Sequence, residues 1–277
     1  MSIKITILVD NNAGKGLDLE HGFSAWIEAS HTKILFDTGQ GPSLAGNALK
    51  LGVFLEQAEH LVLSHGHYDH GGGISHVLHQ AGSAKIHLHP EALISRYSVD
   101  KNGQSRAIGL PPDIIQFLAD LPEKRINWVN GPEIIAPGVG LTGPIPRNNY
   151  YEDTGGSFYI DPQGKTKDNL PDDQALWIDT SMGMVVCAGC AHSGIINTLK
   201  YIQNITENTK VRAVIGGFHL LHADNTRLTE TMNELKKFSL DIIAPCHCTG
   251  DKAASLIRQS FQRSFVSCAA GTEMIFD

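Results

Sequence analysis

The chain has 277 residues, enough for one large α/β domain or two small ones. Its 22 Lys and Arg against 29 Asp and Glu give a net charge of −7, which argues against a general nucleic-acid binder, because neutralising phosphates takes a basic face. No apolar stretch approaches the roughly 20 residues needed to cross a bilayer, and the opening "MSIKITILVDNNAGKG" lacks the long apolar region and cleavage site of a signal peptide, so no membrane role and a cytoplasmic location are expected.

"IKITILV" (3–9), "GFSAWIEA" (22–29) and "KILFDTG" (33–39) read as consecutive strands, rich in β-branched and aromatic residues and separated by turn residues. "GPSLAGNALKLG" (41–52) reads as a helix, with Pro42 near its start and Gly52 at its stop, and feeds a buried strand at "HLVLSH" (60–65). The stretch "LSHGHYDHGGG" (63–73) falls where that strand ends and where "GGGISHVLHQAG" opens a helix, with Gly82 past its end, a common address for active sites in α/β sheets. From about 93 to 173 Pro, Gly, Asn and Lys are frequent and periods are short, which predicts a loop-rich insertion or lid on a single domain spanning 1–277. Regular alternation returns with a strand pair at 174–189. A helix at 194–206, a strand at 211–217, a helix at 228–238, a strand at 240–247, a helix at 251–261 and a strand at 264–270 complete the reading.

The chemistry concentrates in 65–70. In an extended segment His65 and His67 point to one side, and a turn directly after them brings Asp69 and His70 toward the same volume. Imidazole nitrogens and a carboxylate suit zinc, and also iron or manganese, whereas without a metal several polar rings would need partners at a buried strand end. The five cysteines are an odd number confined to the last third, unlike a secreted disulfide framework. Cys187-x-x-Cys190 lacks the helix start of a redox pair and reads as buried apolar residues. Cys246 and Cys248 flank His247 and would point away from it in an extended strand. A structural zinc held by Cys187, Cys190, Cys246 and Cys248 would have an unusual spacing. His76 and His79 read as a helix face. His87 and His89 alternate along a short strand, so that one of them could face the site, and His21, His31, His60 and His222 read as ordinary.

Residues 64–72 resemble the H-x-H-x-D-H signature of the metallo-β-lactamase superfamily, and "ILFDTG" (34–39) resembles its early strand. "CAGCAHSGI" (187–195), "IGGFHL" (215–220) and "PCHCTG" (245–250) are similar to the subgroup around archaeal dihydropterin–ribofuranosylaminobenzene phosphate synthase. The resemblance implies an α/β fold, the αββα sandwich of metallo-β-lactamase type. It implies two divalent metal ions, zinc first, with manganese or iron as alternatives. His65 and His67 would hold one ion, Asp69 and His70 the second, with Asp37 supporting the site from behind its ligands. His247 matches the last metal histidine. His192 follows another strand end and stands as a further ligand, since "LTGPIPR" (141–147) carries no histidine. Cys190 is either a thiolate ligand or a bystander, and His219 is the other candidate for the vacancy.

The resemblance implies a metal-dependent hydrolase using a metal-bound hydroxide on an ester- or phosphate-containing small molecule, with Asp69 as catalytic ligand orienting the water. The subgroup implies a transferase instead, a synthase condensing a dihydropterin diphosphate with an aromatic amine. A di-iron redox protein or a non-catalytic binding protein are the remaining readings. The expected partner is a small, phosphorylated substrate, with Arg147 as its candidate contact and Arg96, Arg106, Lys165 and Lys167 as other basic residues of the insertion; the sequence does not set the oligomeric state.

Overall fold

The structure, a computed structural model, describes residues 2–207 and 210–277. The chain divides into two compact units, one of Met1–Asn130, Ser157–Asp172 and Ala269–Asp277, the other of Gly131–Gly156 and Asp173–Cys268. In the first unit, among the described residues, seven strands form one sheet in the order Glu273–Phe276, Ile3–Val9, Ser24–Ala29, Thr32–Phe36, His60–Val62, Lys85–Leu88, Ile126–Trp128. The early members pair antiparallel, Ser24–Ala29 and Thr32–Phe36 through a tight turn, and the last three join in parallel. Leu8, Trp26, Leu35, Leu61 and Ile86 project from this sheet onto helices Leu44–Lys50, Ile74–Gln80 and Pro112–Ala119, which answer with Leu44, Ala48, Ile74, Val77, Leu78, Ile114 and Leu118. Ile5, Ile27 and Ile34, on the alternate positions, are buried as well, which is why these strands read as continuous apolar runs.

In the second unit six strands lie in the order Ile242–Cys246, Val211–Gly217, Met184–Ala188, Ala175–Ile178, Val139–Leu141, Glu133–Ala136 among the described residues. The first three are parallel, and helices Ile195–Thr206 and Asn225–Leu235 lie between them in the chain as crossovers. The helices bury Ile195, Ile196, Leu199, Ile202, Leu228 and Leu235 in a cluster with Trp177, Val186, Val214 and Ile243. The register places Ala188 beside Gly216 and Gly216 beside Pro245, so these three strands finish level with one another.

Two expectations change. The strand expected to reach residue 65 stops at Val62, because the next amides turn aside: Leu63 N–H donates to the His87 carbonyl and Ser64 N–H to the Asp37 carboxylate. Residues 264–270 form no strand and make two isolated bridges among the described residues, Phe265 to Ile243 and Ala270 to Ala13, and the terminal strand is Glu273–Phe276, a short edge strand with alternating burial. The segment 93–173 supplies Ile126–Trp128 to one large sheet and Glu133–Ala136 and Val139–Leu141 to the other, besides a small sheet of Tyr97–Val99, Ser105–Ala107 and Phe158–Tyr159.

His87 pairs with its strand neighbour His60 (Nε2 to Nδ1, 2.8 Å) and accepts from Asn127 Nδ2 at 3.1 Å. Burial, then the charges of His60 and Lys85, push its pKa down to about 3. A chain that unfolds between that value and the ordinary 6.5 takes up a proton the folded form refuses, so stability falls with falling pH by about 1.4 kcal/mol per unit in this window. Urea midpoints of wild type and His87→Gln between pH 6.5 and 4.5 should show the wild type losing about 2–3 kcal/mol more. Equal slopes would place the acid sensitivity elsewhere.

Candidate functional site

In the first unit the parallel strands Thr32–Phe36 and His60–Val62 end side by side, and the residues that follow them are polar and buried. Asp37 follows the first with a left-handed backbone (φ 59°), unfavourable for a non-glycine residue. Its Oδ1 accepts from Ser64 N–H at 2.7 Å, and its Oδ2 accepts from Ser64 Oγ and from His70 Nδ1, each at 2.7 Å. Ser64 Oγ also lies 2.9 Å from His65 Nδ1, and His65 Nε2 lies 2.9 Å from His67 Nδ1. The ring centroids of His67 and His70 stand 4.5 and 4.3 Å from that of His65. Asp69 Oδ2 meets His21 Nε2 at 3.1 Å, so His21, which reads as ordinary in the sequence, is a neighbour of the site. Gly66 allows this density: a Cβ there would come within 2.0 Å of the Ala92 carbonyl oxygen, while its N–H donates to Asp172 Oδ2 at 2.7 Å.

In the second unit His192, His219 and His247 follow the three parallel strands that finish level, the edge of an α/β sheet where ligands usually bind. The backbone is again left-handed at the candidate positions, with φ 50° at Ala191, 46° at His219 and 50° at His247. His192 and His219 rings lie 4.2 Å apart, and donor atoms of Cys190, His219 and Cys248 all fall within 4.8 Å of one another. Although burial opposes ionisation of the Cys248 thiol, its contact with Cys190 and the charges of His219 and His247 hold it well below the ordinary thiol range. Cys248, which the sequence weighs only for a four-cysteine zinc site, joins the candidate donors beside Cys190 and His219.

These donors fit a divalent metal. Imidazoles and a carboxylate in the first unit, imidazoles and thiols in the second, are the groups that zinc and its neighbours take. A ligating histidine needs its other nitrogen held by an acceptor. The Asp37 carboxylate does this for His70 Nδ1, and the Thr154 carbonyl does it for His192 Nδ1 at 2.8 Å. Both leave Nε2 as the donor to a metal.

The remaining candidates sort by contact. Arg147 is half-buried and donates to the His192 carbonyl at 2.7 Å. Arg96 is fully buried against Asp168 and Asp172, which removes it from the phosphate candidates. Arg106 lies over the Tyr68 ring, 5.9 Å from its centroid. Cys187 is fully buried, and burial, then Cys268, push its thiol up to about 12, an inert group as expected. Cys190 and Cys248 associate with His219 rather than with Cys187 in a four-cysteine site. His79 bonds the Ser75 carbonyl on its own helix, and His89 accepts from Glu91 N–H.

A family model described as the metallo-beta-lactamase superfamily matches residues 17–247. The chain belongs to the metallo-beta-lactamase superfamily. It has that superfamily's α/β fold, two mixed sheets flanked by helices. Two relatives from Methanocaldococcus jannaschii align along nearly the whole length. An uncharacterized protein is 34% identical over 257 residues, covering 92% of this chain and 94% of its own. The 7,8-dihydropterin-6-methyl-4-(beta-D-ribofuranosyl)-aminobenzene-5'-phosphate synthase is 30% identical over 284 residues, covering 98% and 95%. Among solved structures, Tm1679, described as a metal-dependent hydrolase of the beta-lactamase superfamily, superposes with a TM-score of 0.83 at 29% identity, covering 98% of each chain.

Proposed function

We propose that this superfamily member is a metal-dependent hydrolase acting on an ester- or phosphate-containing small molecule. The observation that carries the reading is the turn 65–70, whose buried donors are fixed from behind by one carboxylate, Asp37. Two divalent ions, zinc first, are the cofactors proposed, with His65, His67, Asp69 and His70 as donors in the first unit and His192, His219, His247 and Cys190 in the second. Bound metal would supply Lewis acidity and an activated water at neutral pH. Asp37 keeps His70 in the Nδ1–H tautomer, Ser64 fixes the His65 ring, and the Asp69 carboxylate, against which His21 Nε2 rests, would orient such a water.

A second reading follows from the synthase relative at 30% identity over almost the full chain: a transferase joining a dihydropterin diphosphate to an aromatic amine. Elemental analysis tests what the two share. The protein as purified should hold about two equivalents of divalent metal, and His65→Ala/His67→Ala should lose them while keeping its far-UV circular dichroism. Metal unchanged in the variant would overturn both readings. Incubation with a dihydropterin diphosphate and an aromatic amine then separates them, through formation of the coupled product or of hydrolysis products alone.

A further inference from the structure

Helix Asn225–Leu235 turns an arginine inward in its first turn. Arg227 is 3% exposed, in a position where helices of this kind bury apolar residues, and its neighbours on the same face are Leu228 and Thr231. Its Nη1 donates to Asp153 Oδ1, a carboxylate that is itself 79% exposed. Its Nε and Nη2 are buried and have no acceptor among the described residues. Those two N–H groups form the side-on fork of a guanidinium, the edge that matches two oxygens of one anion. A guanidinium cannot escape by losing its proton, and each buried charged donor left unmet costs on the order of 1–3 kcal/mol or more. One turn further along the helix the Thr231 hydroxyl is buried without a partner as well, and so is the hydroxyl of Tyr151, which is held protonated by burial and by the charges of Glu152, Glu234 and Glu230.

The surroundings say which anion. Arg147 is close enough to feel the positive charge of Arg227, with the carboxylates of Asp173, Asp153 and Glu152 acting on it as well, so two guanidiniums, neither able to neutralise, are neighbours there. The segment 149–156 ties that region to the candidate ligands: Asp153 meets Arg227, Thr154 accepts from His192 Nδ1, and Gly155 lies so near His219 that a Cβ there would stand 1.9 Å from its ring. The same segment is anchored by Glu152, which accepts from the N–H groups of Ile196 and Asn197 at 2.9 Å each.

We propose that Arg227, assisted by Arg147, is the subsite for a phosphate monoester group of the substrate, the Nε/Nη2 fork taking two phosphate oxygens and displacing the contact with Asp153. It rests on the reading of the substrate as a phosphorylated small molecule and assigns that phosphate a place. The fork is shut from solvent, so binding moves the Asp153-bearing segment, and holding the phosphate there brings the reacting part of the substrate toward His192 and His219. Binding at a remote group of this kind lowers the entropic cost of placing the reacting bond.

The test is titration of the purified protein with inorganic phosphate, and separately with acetate, followed by calorimetry and by thermal midpoint. Wild type is expected to bind phosphate with a millimolar or tighter dissociation constant and to respond far less to acetate. Arg227→Met and Arg227→Lys are expected to weaken phosphate at least 10-fold with metal content unchanged. Arg227→Met in phosphate-free buffer should be no less stable than wild type, since it removes two unmet buried donors; should it fail to fold, Arg227→Lys keeps the charge and loses only the fork. Wild-type phosphate affinity retained in the variants, no phosphate binding in wild type, or acetate binding as well as phosphate would each overturn the assignment. Because the readout is binding, failure here leaves the metal analysis standing, and metal found absent leaves an Arg227-dependent phosphate response standing.

Discussion

Arg96→Met is expected to destabilise the protein by about 3–5 kcal/mol, among the largest effects available to one side chain outside the apolar core. Arg96 donates from Nε to Asp168 at 2.7 Å, from Nη1 and Nη2 to Asp172 at 2.8 and 2.5 Å, and from Nη2 to the Glu91 carbonyl at 3.1 Å. Burial alone would favour loss of its proton, but the two carboxylates more than offset this and raise its pKa. Removing the guanidinium strands two carboxylates in the interior, and one of them is also the acceptor for Gly66 N–H in the turn between His65 and His67. Urea midpoints measure the loss, and adding Asp168→Asn and Asp172→Asn to Arg96→Met should recover part of it, because the penalty lies in the unpaired charges. A single variant within about 1 kcal/mol of wild type would show that water reaches these carboxylates.

Asp37→Asn should leave the fold largely in place and weaken metal binding about 10–100-fold. The Asn oxygen can still accept from Ser64 N–H, but its NH2 group then faces Ser64 Oγ and His70 Nδ1. His70 must turn Nδ1 into the acceptor and move its proton to Nε2, the atom a metal would need. Asp37→Ala goes further, leaving the Ser64 amide, the Ser64 hydroxyl and His70 Nδ1 unmet in a fully buried place, at about 1–3 kcal/mol for each. Competition with a chromogenic chelator gives the affinity and urea denaturation the stability. Unchanged metal affinity in Asp37→Asn would remove the carboxylate from the support of the site.

The turn 65–70 was legible because its donors are packed into six positions after a strand. His192 and His247 were legible because each follows an apolar run that ends in a turn. Cys248 was not, and the reason is local: strict alternation along a strand points it away from His247, but the backbone becomes left-handed at His247 and continues as a 3-10 turn, His247–Thr249, which swings the thiol toward Cys190 and His219. Asp172 and Arg227 were hidden for a different reason. Their partners Gly66 and Asp153 lie 106 and 74 residues away, and Asp172 and Asp153 sit in a stretch without regular period, where no local pattern signals a long-range pair. The insertion read as loop-rich because its strands are two to four residues long, too short for alternation to show.

The left-handed backbone at Ala191, His219 and His247 sets two selective pressures against each other. Glycine at any of them would relieve backbone strain of about 1–2 kcal/mol. At 219 and 247 that same replacement deletes an imidazole. A lineage chosen only for heat tolerance would therefore drift toward glycine at these corners and lose two candidate ligands as it did so, whereas one that keeps histidine there carries a standing conformational strain that the rest of the sheet has to outweigh.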